Sequence, residues 1–256
     1  MPDLILPNPK YERPELLHAG RKPTGPVVID WENPLTVGMT RAYLFDDVGH
    51  LFDHVSGKCA TQVDGSRAKP HIFVRIDERG NRSVGKSYNS GGSTNDHFQQ
   101  AGAMYSGIPA MAYAAGLRRM PGQTTREYSI IKGSSRDYFG FFITDRLSAY
   151  ISSNNNASRL FWTIPFAESD GYRDVVMSRI GGTDCTGYKD GIDALSTVTD
   201  QGLGSGDASS SNATPVILDD IGGAGYCSYM YFWERSLSQV EAESLHKDPY
   251  QFFVPA

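Results

Sequence analysis

The sequence predicts an all-β domain of two antiparallel layers, preceded by an extended arm and followed by one short helix. Three observations carry this. The chain holds 27 Gly, 14 Tyr and 12 Phe, a balance that favours strands and turns over helices. Short apolar runs, several of them alternating, recur from Arg41 onward, separated by Gly-, Asn-, Asp- and Ser-rich stretches. Helix punctuation is found in a single stretch near the end. At 256 residues the chain suffices for one large sandwich with a single core.

Residues 1–38 differ from the rest. Six of the 14 prolines, Pro2, Pro7, Pro9, Pro14, Pro23 and Pro26, fall in the first thirty residues. Each fixes φ and removes a backbone donor, so an extended path is expected. Leu4, Ile5, Leu6, Leu16 and Leu17 give this segment apolar side chains for an assembly arm, laid along its own domain or a neighbouring subunit. The folded body is expected over 39–256.

In that body residues 42–45 form a short apolar run and 71–76 alternate. Residues 80–107, rich in Gly, Ser and Asn and without a period, are expected as one long loop. Strands resume at 111–119 and 127–132. Residues 138–144 should bury Phe139, Phe141 and Ile143 and leave Tyr138 and Phe142 on the other face. Residues 147–152 likewise bury Leu147, Ala149 and Ile151 and turn Tyr150 away. Further strands are expected at 159–164 and 173–180. Asp190-Gly191 closes a hairpin, because that pair accepts the positive φ of a type I′ turn. Residues 201–214 form a second polar loop. The final strand, 228–233, sets Tyr229, Tyr231 and Trp233 against Ser228, Met230 and Phe232, and is expected to finish a sheet and cover an edge or end. Ser238 and Glu241 then stand at capping-box spacing, Leu237 can staple onto Ala242, and Asp248-Pro249 ends the helix.

Composition excludes several classes of function. A net charge of −5 without a basic stripe leaves no footprint for nucleic acid. No apolar run approaches ~20 residues, so no membrane partner is expected, and no charged-then-apolar leader opens the chain. Cys59, Cys185 and Cys227 are odd in number and lack a C-x-x-C, which reads as free thiols. A G-x-S-x-G elbow is absent. Asp77 and Glu78 are adjacent and so fall on opposite faces of a strand, unable to act on one bond.

The order of glycine turn, aromatic strand, W-E-R-S-L-S-x-x-E, short helix and D-P-Y-Q-F-F resembles the end of concanavalin A-like, laminin-G-like domains, through Arg235, Leu237, Ser238 and Glu241. Residues 42–57 are similar to the first strand and acidic turn of that family, and Tyr188 to Gly191 resembles its central hairpin. The resemblance implies a two-sheet antiparallel jelly-roll sandwich with an extended N-terminal arm and one short C-terminal helix. The lead-in, R-P-E-L-L, then G-R-K-P-x-G-P-V, then N-P-L, resembles that of laminin-G-like proteins among bacteriophage structural genes. This implies a non-enzymatic virion structural protein, a head decoration or tail-associated subunit assembled in the host cytoplasm. Its arm would bind other virion proteins, and further copies of the chain could join as a homo-oligomer.

The alternative is a carbohydrate-binding adhesin or lectin that recognises cell-surface glycans. Tyr138, Phe142 and Tyr150 share the face turned from the core, and rings on such a face can stack on the apolar side of a pyranose. A glycoside hydrolase is the remote alternative, since the E-x-D-x-x-E strand of glucanases with this fold is missing. Some relatives bind calcium, and Asp46, Asp47 and Asp53 are the candidate ligands here. Against the metal stands a turn in which Asp47 and Asp53 accept backbone N–H bonds. Leu51-Phe52 at its centre and the lack of calcium-loop spacing favour the turn, so no cofactor is expected.

Overall fold

A computed structural model describes residues 21–23, 25–45, 50–63, 72–86, 97–100, 105–119, 128–134, 137–142, 145–153, 158–204, 206–208, 216–220 and 225–256. The chain forms β1 (Val27–Ile29), β2 (Met39–Leu44), β3 (His50–Asp53), β4 (Lys58–Val63), β5 (Ile72–Ile76), β6 (Arg82–Lys86) and β7 (His97–Gln99). Next come β8 (Met111–Arg119), β9 (Tyr128–Ser134), β10 (Asp137–Phe142), β11 (Arg146–Ser152), β12 (Arg159–Pro165) and β13 (Tyr172–Gly181). The last elements are β14 (Asp184–Lys189), β15 (Ile192–Asp193), β16 (Thr197–Gln201), β17 (Val216–Asp220), β18 (Gly225–Trp233), helix α1 (Gln239–Lys247) and β19 (Phe253–Pro255). The ladders between these strands are antiparallel.

One layer runs β14, β13, β8, β18, with β2 and β6 sharing the far edge of β18 and β5 outside β6. The other runs β4, β7, β17, β9, β10, β11, β12, β16. On one side β3 links them, pairing with β4 and meeting β2 at Tyr43 and Asp53. On the other, Ala194 N donates to Gly187 O at 2.8 Å and Ser196 N to Thr163 O at 2.9 Å, one bond into each layer. Backbone groups that bare edges would leave open are satisfied by this stitching.

Alternation explains the inner core. Phe139, Phe141, Leu147, Ala149 and Ile151 all turn inward, with Leu160, Trp162 and Ile164 beside them. On the outer face of the first layer lies a second apolar cluster that includes Tyr229, Tyr231, Trp233, Leu237, Leu245 and Phe252. Ile29 and Leu35 join it, so residues that the proline pattern groups with the arm lie against the C-terminal end. There β1 pairs with β19, and Trp233 Nε1 donates to Leu35 O at 2.6 Å. Residues 1–20, with Leu4, Ile5, Leu6, Leu16 and Leu17, lie outside the described residues.

β18 corrects one expectation: it lies in the middle of its layer, between β8 and β2, and does not cover an edge. All nine of its residues are buried, with Met230 and Phe232 in the inner core and Tyr229, Tyr231 and Trp233 in the outer cluster. A strand apolar on both faces needs cover on both, which the inner core and the outer cluster supply, while β8 and β2 pair with its two backbone edges. The helix that follows is capped as its spacing predicts: Ser238 N donates to Glu241 Oε2 at 2.8 Å and Glu241 N to Ser238 Oγ at 3.4 Å. Asp190 and Gly191 take φ of 54° and 78°, and Lys189 faces Ile192 across the hairpin.

The expected loop over 80–107 is also corrected, because it contains β6 and β7. β6 escaped notice because its neighbours demand small residues. A Cβ on Gly85 would lie 2.5 Å from a ring carbon of Tyr226, so no bulky side chain can mark that face. Cys59 is exposed, Cys185 and Cys227 are buried, and all three are free. Burial pushes the Cys185 thiol up to about 12. Among the described residues no helix is long and apolar enough to cross a membrane.

Candidate functional site

β10, β11, β12 and β16 turn one set of side-chain positions away from the inner core. Their register aligns Tyr138, Tyr150, Phe161 and Thr199 in one row across the second layer. The next row is Gly140, Ser148, Thr163 and Thr197, and the one beyond is Phe142, Arg146 and Pro165. Tyr150 and Phe161 are both half-buried. Their rings stack with centroids 4.6 Å apart and planes 8° apart. Each ring covers one face of the other and braces it, so the pair is held in place before any ligand arrives.

Of the three aromatic residues expected to form a platform, the register brings Tyr138 and Tyr150 together. Phe142 sits two rows away, four residues along the strand, which at ~3.3 Å per residue is about 13 Å. Phe161 takes its place beside Tyr150. The alternation of β12 carried the signal for it, since Leu160, Trp162 and Ile164 face the core and Phe161 and Thr163 must face outward.

Of the metal candidates, Asp46 and Asp47 lie outside the described residues. Asp53 is fully buried, and its carboxylate accepts from Ala42 N (3.0 Å), Val55 N (3.1 Å), Ser56 Oγ (2.6 Å) and Gln100 Nε2 (3.0 Å). Arg41 Nε stands 3.7 Å away. These donors tie β2 to the turn between β3 and β4. The adjacent acids Asp77 and Glu78 turn apart: Asp77 accepts from Ser228 Oγ at 2.9 Å, and Glu78 pairs with Arg118.

A buried polar network that the sequence did not announce lies between α1 and β13. Asp174, 3% exposed, accepts from Arg79 Nη2 at 2.7 Å and from the Tyr229 hydroxyl at 2.9 Å, and His246 Nδ1 lies 2.8 Å away. Asp190 accepts from Asp174 N at 3.0 Å and pairs with Arg173 at 3.3 Å. The hydrogen bond to Asp174 raises the His246 pKa, and burial keeps the Tyr229 phenol protonated by pushing its pKa well up. Asp174, Asp190 and His246 bring ligand-type atoms within 4.8 Å of one another. Arg79 and Arg173 already face both carboxylates, so the group is a salt-bridge network. Its members come from positions 79, 173, 174, 190, 229 and 246, a spread that no local pattern reveals.

Two antiparallel layers packed over one inner core define a β-sandwich. No protein-family model and no curated protein matches the sequence. Among solved structures, the chain is similar to the binding domain of Paraclostridial Mosquitocidal Protein 1, with a TM-score of 0.57 and 11% identity over 83% of this chain and 52% of that one. It is similar to a botulinum neurotoxin type C structure, whose cell entry is described as dependent on two ganglioside molecules, with a TM-score of 0.56 and 15% identity over 84% and 52%. A third is the binding domain of botulinum neurotoxin DC in complex with rat synaptotagmin II, with a TM-score of 0.55 and 16% identity over 82% and 51%. At such identities the likeness is one of fold. The chain spans about half the length of each of these structures.

Proposed function

We propose that this chain is a carbohydrate-binding sandwich that recognises glycans through the outer face of its second layer, at Tyr150 and Phe161. The carrying observation is the parallel, half-buried ring pair in a row with Tyr138, flanked by the small residues Gly140, Ser148 and Thr163. A ring face that its stacked partner leaves uncovered can offer a pyranose a flat apolar contact. The matched structures add support of a general kind, two being named as binding domains and a third in connection with gangliosides. These descriptions favour glycan recognition over the virion-scaffold expectation, and binding over catalysis.

The test is a glycan array with the wild-type chain, followed by titration of any hit against Tyr150→Ala and Phe161→Ala. Each substitution is expected to weaken binding about tenfold, near the upper range for an aromatic contact. A blank array, or a hit that both variants bind unchanged, overturns the proposal.

A further inference from the structure

Away from the aromatic face, a cleft of about 310 Å³ is lined by residues that include Arg21, Lys22, Pro23, Gly80, Asn81 and Arg82. Its walls are pinned. Lys22 N donates to Asn81 Oδ1 at 2.8 Å. The Lys22 ammonium, in a residue only 8% exposed, donates to Phe45 O at 2.8 Å and Arg82 O at 2.7 Å. Beneath Asn81, the turn is held by Asp77 Oδ1, which accepts from Arg79 N at 2.9 Å and Asn81 N at 2.8 Å. Gly80 supplies the positive φ of 79° that the turn requires. Arg21 and Arg82 therefore project from a fixed backbone. Both are exposed, and neither guanidinium has a hydrogen-bond or ion-pair partner among the described residues.

Among the described residues three cations and no carboxylate line this cleft, in a chain whose net charge is −5. Such a local inversion of charge concentrates anions at the surface. The volume lies at the lower end of the roughly 300–1,000 Å³ range of small-molecule sites, larger than a bare oxyanion needs. Among the described lining residues no aromatic or branched aliphatic side chain joins Pro23, so an acyl chain would find a single proline ring to bury against. A polar body carrying one strong acid fits both facts. We propose that this cleft binds an acidic saccharide unit, its sulfate or carboxylate held by Arg21 and Arg82. Paired guanidinium donors suit the planar or tetrahedral oxygens of such groups.

The experiment is a calorimetric titration of the full chain with a sulfated heparin-derived disaccharide, glucuronate, a neutral disaccharide, inorganic sulfate and phosphatidylserine-containing vesicles. Saturable binding of the sulfated disaccharide is expected, weakened by salt. Arg82→Ala should lose about tenfold, the effect of one hydrogen bond to a charged group. Arg21→Glu with Arg82→Glu should abolish binding. Because both side chains are exposed and have no partner among the described residues, the variants should unfold at the wild-type temperature, which separates lost binding from lost fold. Val240→Ala, at an exposed position of α1 that belongs to neither site, should bind as wild type, and because the readout depends on Arg21 and Arg82, failure here is distinct from failure of the aromatic face. Unchanged affinity in the double variant overturns the proposal, as does equal affinity for the neutral disaccharide or for inorganic sulfate. Binding to the vesicles alone overturns it in favour of a lipid headgroup.

Discussion

His246, in the last turn of α1, places its Nδ1 2.8 Å from the buried Oδ2 of Asp174 on β13. That contact fastens the helix to the first layer, and Arg79 and the Tyr229 hydroxyl share the same carboxylate. The sandwich is thus tied to its C-terminal cover by one charged group from the middle of the chain.

The tie should show in the pH dependence of stability. The His246 pKa is raised chiefly by its hydrogen bond to Asp174; burial opposes this, the charges of Asp174 and Asp190 add to it, and Arg79 opposes. With a folded pKa above the unfolded value of about 6.5, the stabilisation is complete below that pH and is lost as pH rises through the folded pKa. Urea midpoints should fall over that window in the wild type. The pH slope of His246→Gln should be flatter, and an identical slope would refute the assignment.

Removing the shared carboxylate should cost far more than removing its exposed neighbour. Asp174→Ala strands Arg79, Tyr229 and His246 at once, and about 3–5 kcal/mol is expected from denaturant unfolding. Asp190 is more exposed, so Asp190→Ala should cost about 1 kcal/mol. Equal losses would show that burial does not set the balance.

Gly116 on β8 is a steric requirement. A Cβ there would lie 1.8 Å from the Tyr172 hydroxyl and 2.6 Å from Cε1 of Tyr229. Gly116→Ala should destabilise by at least about 1–3 kcal/mol, the usual penalty for overpacking a core. Combining it with Tyr172→Phe removes the nearest atom, and a double-mutant cycle should return part of the loss. Full additivity would place the strain elsewhere.

At the other end of the helix, Ser238→Ala should cost about 1 kcal/mol through the lost cap. Burial works against the Glu241 carboxylate, but Arg235 and the Ser238 amide and hydroxyl outweigh it and hold its pKa below the usual carboxylate range. That contribution is present above an unfolded pKa of about 4.3 and is lost as pH falls through the folded value. Amide exchange in α1 should quicken in the variant and in acid. Unchanged protection would rule out the capping box as the helix anchor.

What could be read from the sequence alone was local. The alternation of β10, β11 and β18 named the faces of Phe139, Phe141, Leu147, Tyr229 and Met230 before any fold was known, because side chains in a strand point to opposite faces in turn. The Ser238–Glu241 cap and the Asp190-Gly191 turn were equally plain, since each is complete within a few residues. The tertiary structure alone decided which faces meet. It set β18 inside its layer, made β6 a strand although Tyr226 leaves room only for Gly85, placed Phe161 against Tyr150 through the β11–β12 register, and gathered Asp174, Asp190 and His246 at one point. The physical reason is range: backbone geometry fixes a pattern over a few residues, whereas register, burial and charge pairing depend on segments that only folding brings together.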